Sequence, residues 1–302
     1  MTSSISQSTL KQYECNWRYW WEYTHARGID TFNAKSADII IFLNKCFKDG
    51  AKYSTLNTAR SAISLISAYD INEDGLIARF FKGVLKERST KPKYSTARDV
   101  TPVLSFMEGM HPLRRLKLKE AAEKVATLLA ITTAQRLQTL ASINIDNIIK
   151  SETGISVKIT DQIKTSKPGA WQPELILPFF KETPALCVAS AVSDYMDCAQ
   201  KLRDKNVKNL FLATVKPFGA ASSQTIGHWV KTLLGKVGVD TQTFTAYTTR
   251  HAAVSTAHKR RVDITVIRRC AGWTPSSQMF FKFYNKPIQC SNEQFAQTIL
   301  NK

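Results

Sequence analysis

Tyr247-Thr248-Thr249-Arg250-His251, followed by Gly272-Trp273 and then Phe283-Tyr284-Asn285, is the stretch on which the reading of this chain turns. Trp273 lies 23 residues after Arg250, and Tyr284 a further 11 on, at the end of an aromatic run. Taken singly, each residue has an ordinary explanation. An arginine at a helix end is commonly a solvated side chain near carbonyls, and a tyrosine in Phe280-Phe281-Lys282-Phe283-Tyr284 is commonly a core ring with a tethered hydroxyl. The order carries more than its parts. Upstream stand Arg136, after an apolar helical run, and two lysines, Lys164 and Lys167, at a turn between strands. Chance rarely supplies this whole series.

Working outward, Leu118, Ala122, Val125, Leu128 and Leu129 mark an amphipathic helix running toward Arg136. Ile155, Val157 and Ile159 alternate with polar residues as in a half-buried strand. Lys167-Pro168-Gly169-Ala170 signals a turn, and Glu174 to Leu177 returns as the paired strand of a small antiparallel sheet. Val188, Ala191, Val192, Tyr195, Met196 and Ala199 define another helix. Ser222-Ser223 caps one holding Ile226, Trp229, Val230, Leu233 and Leu234. The N-terminal part reads as four helices. Ser8-Thr9 caps the first, which carries Leu10, Tyr13, Trp17, Trp20 and Trp21 as a core-facing aromatic stripe. The second carries Ile39 to Phe47, Ser54 caps the third, and the fourth spans Leu76 to Leu85.

Between these parts lies a proline-containing, apolar-poor run whose basic side chains are Lys86, Arg88, Lys91, Lys93 and Arg98. That composition predicts an extended connector over residues 86–98, between a helical domain (1–85) and a mixed domain (99–302). Such a charge run is usually only solvated surface, but a linker crossing a phosphate backbone has the same composition.

The chain has 302 residues, 43% of them hydrophobic, enough for two ordinary domains with real cores. Forty-two Lys and Arg against 24 Asp and Glu give a net charge of +18, which points to a polyanionic partner, nucleic acid first. Charge alone leaves DNA, RNA and anionic membranes open. Six cysteines and five histidines are scattered without C-x-x-C or zinc-site spacing. No apolar stretch approaches the roughly 18 residues of a membrane span, and the N-terminus lacks a signal-peptide pattern. The expected setting is inside the cell.

Together these motifs resemble the tyrosine recombinases. The resemblance implies a mainly α fold with a small antiparallel β-sheet: a helical core-binding domain that clamps DNA, and an α+β catalytic domain ending in a tail helix over about 291–300. It implies that Tyr284 attacks a DNA phosphate to give a 3′-phosphotyrosine. Arg136 and Arg250 would grip the non-bridging oxygens, because a planar guanidinium binds two of them at once. Lys164 would protonate the leaving 5′-oxygen, with Lys167 a close rival. Trp273 stands where many family members have histidine; its indole donates a hydrogen bond but transfers no proton. Tyr247 replaces the family's usual histidine, which favours hydrogen bonding over base catalysis there; its other reading is a core-facing support for the helix of Arg250. His251 matches a residue common after this arginine, and Thr139 stands where an acidic residue is often found. Neither ATP nor a divalent metal is implied, since the covalent bond conserves the phosphodiester energy. The partners implied are double-stranded DNA and further copies of the chain, as a tetramer on two duplexes.

Ser8-Thr9-Leu10-Lys11-Gln12-Tyr13 with Trp17 and Trp20, Arg136-Leu137-Gln138-Thr139-Leu140 and Ala271-Gly272-Trp273 are similar to recombinases of Crypton and DIRS-type elements, which implies the nucleus. Two other classes keep the fold: a domesticated, non-catalytic DNA-binding protein, which has no need of the full active-site set, and a monomeric type IB topoisomerase.

Overall fold

The computed structural model describes residues 5–89, 97–164, 166, 169, 172–274 and 276–284. The chain divides into two compact units, Met1–Pro92 and Lys93–Lys302.

The first unit holds α1 (Gln7–His25), α2 (Ser36–Lys48), α3 (Tyr53–Ile66) and α4 (Gly75–Glu87). Ser6, in extended conformation, caps α1 by accepting from the Thr9 amide at 3.2 Å, so Ser8 and Thr9 lie inside the helix rather than capping it. Trp20 is fully buried, packs edge-on against Phe42, and donates its indole N–H to the Thr31 carbonyl. Trp21 departs from the expected stripe. About 100° further round the helix, it stays 54% exposed and stacks on His25. α3 starts at Tyr53 after Lys52, which places Ser54 within its first turn, uninvolved in capping. Asp74 caps α4 through the amides of Leu76 and Ile77.

The expected connector begins later than its composition suggests. α4 runs to Glu87, so Lys86 belongs to its last turn. Arg88 folds back: its guanidinium lies 4.2 Å over the Phe47 ring and donates to the carbonyls of Ala51 and Phe47, satisfying the end of α2. Lys91 and Lys93 lie outside the described residues. Arg98 is 5% exposed, within the second unit rather than on an open linker.

The second unit is built around α6 (Leu118–Thr133), flanked by α5 (Thr101–Glu108), α7 (Leu137–Ala141), α8 (Val188–Gln200), α9 (Ser223–Lys236), α10 (Thr248–Lys259) and α11 (Ile264–Cys270). α6 packs against α8, α9 and α10, and every residue from Ala121 to Ala130 is buried. The amphipathic pattern expected for it thus becomes burial on all sides, made tolerable by partners for its charges. The Glu123 carboxylate meets Lys236 Nζ at 2.6 Å, and Lys124 Nζ donates to the Met110 carbonyl, with burial pushing that ammonium down to about 8. Ser222 caps α9 by accepting from the Thr225 amide, as expected.

Three antiparallel strands in the order β1-β2-β3 form the sheet: β1 (Ile148–Lys150), β2 (Gly154–Lys158) and β3 (Glu174–Pro178). Ile155 opposes Leu177 and Val157 opposes Leu175, and these four face the core while Ile176 stays exposed. A Cβ on Gly154 would lie 2.3 Å from the Leu177 carbonyl oxygen, so glycine is what lets the strands close there. The connection from β2 to β3 is longer than a tight turn. The architecture is mainly helical with one small antiparallel sheet, the expected class.

Candidate active site

α6 ends at Ala134 in left-handed conformation (φ 49°, ψ 24°), which swings the chain into the extended Arg136 that opens α7. Gln135 in the bend is buried and donates from Nε2 to the Cys270 carbonyl at 2.6 Å, tying this turn to the end of α11. Arg136 itself is half-buried. Two residues on, the Gln138 side-chain oxygen accepts from the Lys164 amide at 3.3 Å, joining the inter-strand connection to α7. The Lys164 side chain is exposed, and no contact joins it to Tyr284 among the described residues. Lys167 lies outside them, as do residues 291–300 of the expected tail helix.

α10 opens with the quoted motif. Arg250 is 3% exposed and donates from Nη2 to the Ala271 carbonyl at 2.6 Å, while its Nε and Nη1 are buried with no hydrogen-bond partner among the described residues. Just after α11, Gly272 at φ +63° reverses the chain, so that the Trp273 ring lies 5.0 Å from the Arg250 guanidinium carbon. Burial lowers the Arg250 guanidinium to about 10, with the Tyr284 phenol countering and the Arg136 charge reinforcing that shift.

Phe280–Tyr284 forms one turn of π-helix. Phe280, fully buried against His258, anchors its start; at its end the Tyr284 carbonyl accepts from Ser255 Oγ on α10 at 2.6 Å. The Tyr284 ring stacks on His251 at 4.1 Å with 14° between planes, and the Trp273 ring stands 4.7 Å away. Its hydroxyl meets the Tyr247 hydroxyl at 2.9 Å, and the Arg250 guanidinium carbon is 5.6 Å from its ring. Burial, then the hydrogen bond to Tyr247, push the Tyr284 phenol up to about 12, while Arg250 and Arg136 pull in the opposite direction. Tyr247 itself is 56% exposed, so it faces the site and solvent, not the core.

The structure thus brings Tyr284, Tyr247, Arg250, His251 and Trp273 into contact, with Arg136 close enough for its charge to act on both Tyr284 and Arg250. Gln135 and Ser255 were not singled out in the sequence. Neither carries a signal there, because each acts through one bond to a distant backbone carbonyl. Thr139, in the place of the family's acidic residue, is buried.

The buried Tyr284 beside the Arg250 guanidinium lies on a helical domain carrying a three-stranded sheet, and the fold is that of the tyrosine recombinases. By sequence the chain is similar to an integrase/recombinase XerD homolog of Selenomonas ruminantium, 21% identical over 280 residues that cover 89% of this chain and 79% of that protein. By structure it is similar to the XerH site-specific recombinase bound to its difH substrate (TM-score 0.59, 12% identity, 92% of this chain and 75% of the other). It is likewise similar to a lambda integrase tetramer bound to a Holliday junction (TM-score 0.54, 16% identity, 95% and 75%). No protein-family model matches the chain.

Proposed function

We propose that this chain is a tyrosine recombinase that cleaves and rejoins double-stranded DNA through a covalent bond to Tyr284. The observation that carries the reading is the Tyr284 hydroxyl, 2.9 Å from the Tyr247 hydroxyl and next to the buried, partly unpartnered guanidinium of Arg250. In this reading the Tyr284 hydroxyl passes its proton along the Tyr247 hydroxyl to solvent as its oxygen attacks phosphorus in line, forming a 3′-phosphotyrosine and releasing the 5′-oxygen, which takes a proton from Lys164 or Lys167. Arg136 and Arg250 neutralise the non-bridging oxygens as charge builds on them. Trp273 and His251 hold the tyrosine ring between them. A 5′-hydroxyl from a partner duplex then attacks the phosphotyrosine and restores the phenol. The net charge of +18 supports DNA as the substrate.

Integration and excision of a Crypton-like mobile element is the biological role we propose, on the N-terminal motif pattern and the Arg136–Leu140 and Ala271–Trp273 segments, with action in the nucleus. A tetramer on two duplexes accords with the assembly of the lambda integrase to which the fold is similar. The expected outcome of incubating the protein with fragmented genomic DNA is a denaturant-resistant adduct whose attached DNA, once sequenced, gives the target. Tyr284→Phe removes only the attacking oxygen, so it binds DNA and forms no adduct; an adduct in the Phe variant sinks the assignment. Strand exchange between two recovered sites supports a recombinase, whereas supercoil relaxation by a monomer without exchange supports a topoisomerase.

A further inference from the structure

Arg98, like Lys124, is a buried cation that the proposed chemistry does not use, but it lacks the close carbonyl partner that Lys124 has in Met110. Arg98 is 5% exposed, its Nη2 donates a long hydrogen bond of 3.4 Å to Thr249 Oγ1, and its Nε and Nη1 are buried with no hydrogen-bond partner among the described residues. Thr249 is in the first turn of α10, next to Arg250, so the Arg98 charge sits at the N-terminal end of that helix. The N-cap residue of α10, Tyr247, makes no side-chain capping hydrogen bond there. A helix N-terminus carries partial positive charge and disfavours a cation unless an anion joins it. The adjacent carboxylate is committed elsewhere: Asp99 accepts from the amide and hydroxyl of Thr101 and is stabilised as an anion by Arg260.

A buried arginine with a single weak partner is destabilising in isolation, because its desolvation is not offset by a counter-charge. Arg250 shows the same pattern: it is 3% exposed, and the same two nitrogens, Nε and Nη1, lack partners. In the proposed reaction those atoms await a phosphate. We infer that Arg98 and the first turn of α10 form a second phosphate-binding point, which takes a DNA backbone phosphate other than the one facing Tyr284. That it is a different phosphate follows from the separate contacts of the two groups. Among the described residues Arg98 meets Thr249, whereas Tyr284 meets Tyr247, Arg250, His251 and Trp273. Naming the anion a DNA phosphate rests on the recombinase reading; that the site takes an oxyanion does not.

Arg98→Met in the full chain tests this, since it keeps the volume and removes the charge. Two measurements apply: thermal melting in inorganic phosphate against chloride at equal ionic strength, and the salt dependence of binding to a duplex. The expected result is that R98M melts at or above the wild-type temperature in chloride. It loses part of the phosphate-induced rise in Tm, and its log Kd against log salt slope is shallower by about 0.9, one phosphate contact. An R98M that fails to fold, or that melts well below wild type in chloride, gives Arg98 a purely structural role and overturns the inference. So do a phosphate response and a salt slope equal to those of wild type. A wild type that forms no Tyr284 adduct defeats the recombinase reading alone, and the phosphate melts still report on Arg98.

Discussion

The Tyr284 phenol is held protonated by its surroundings, and the hydroxyl of Tyr247 contributes to that. Because the hydrogen bond raises the Tyr284 pKa, Tyr247→Phe should shift the rising limb of the cleavage pH–rate profile, where Tyr284 ionises, toward lower pH. It should also slow cleavage at neutral pH about 10- to 100-fold, roughly 1.4 to 2.8 kcal/mol, by removing the group that positions the attacking oxygen and leads its proton toward solvent. An unchanged rate together with an unchanged limb would remove Tyr247 from the chemistry. The same shift affects stability. A phenol raised from 10 to about 12 stabilises the fold fully below pH 10, and that contribution is lost as pH rises through 12. Wild type should therefore lose more stability than Tyr284→Phe between those limits, measured by denaturant melts. Arg250→Lys keeps the charge but not the planar fork, and adduct formation should fall about 100- to 1000-fold with DNA affinity little altered.

At the level of elements, the position of Tyr284, the proposed nucleophile, depends on how one π-turn is held. Phe280 fixes the start of Phe280–Tyr284 in the core and Ser255 fixes its end, so α10 carries both Arg250 and the anchor for the tyrosine backbone. Extra residues in a helical turn change the direction in which a side chain emerges, and such turns recur at functional sites. Ser255→Ala leaves the Tyr284 carbonyl without its donor. The expected cost is about 1 to 3 kcal/mol of stability, read by chemical denaturation, with adduct formation slowed about tenfold while duplex binding is retained. A Ser255→Ala protein with a native cleavage rate would mean that the turn holds its shape without that bond.

For the whole molecule, electrostatics sets the conditions of action. A net charge of +18 predicts DNA binding that weakens steeply with salt, by about 10³- to 10⁵-fold between 50 and 200 mM if six to ten phosphates are contacted. Filter binding across that range measures the slope, and a flat dependence would rule out a backbone-dominated interface. Since two arginines are assigned the work of charge stabilisation, cleavage should persist in excess EDTA. Strict magnesium dependence of the adduct would defeat that assignment.

The amino-acid order determined the helical N-terminal unit, the alternating strands β2 and β3, and the sites of Arg136, Arg250, Trp273 and Tyr284, because periodicity and motif spacing are local properties of the chain. β1 was beyond its reach: three residues, Ile148-Ile149-Lys150, are too few to show a period. The composition of 86–98 could not distinguish a solvated cation from one folded back or buried, so Arg88 on Phe47 and Arg98 against Thr249 became apparent only when distant segments met. Trp21 could not share a buried face with Trp20, since neighbours on a helix diverge by about 100°. At the site, the sequence named the tyrosine, but tertiary packing decided its state. The stacking of His251, the hydroxyl contact with Tyr247 and the Ser255 anchor join residues 29 to 37 positions apart. Only the folded chain brings them within van der Waals and hydrogen-bonding range, and desolvation there sets the pKa of the phenol.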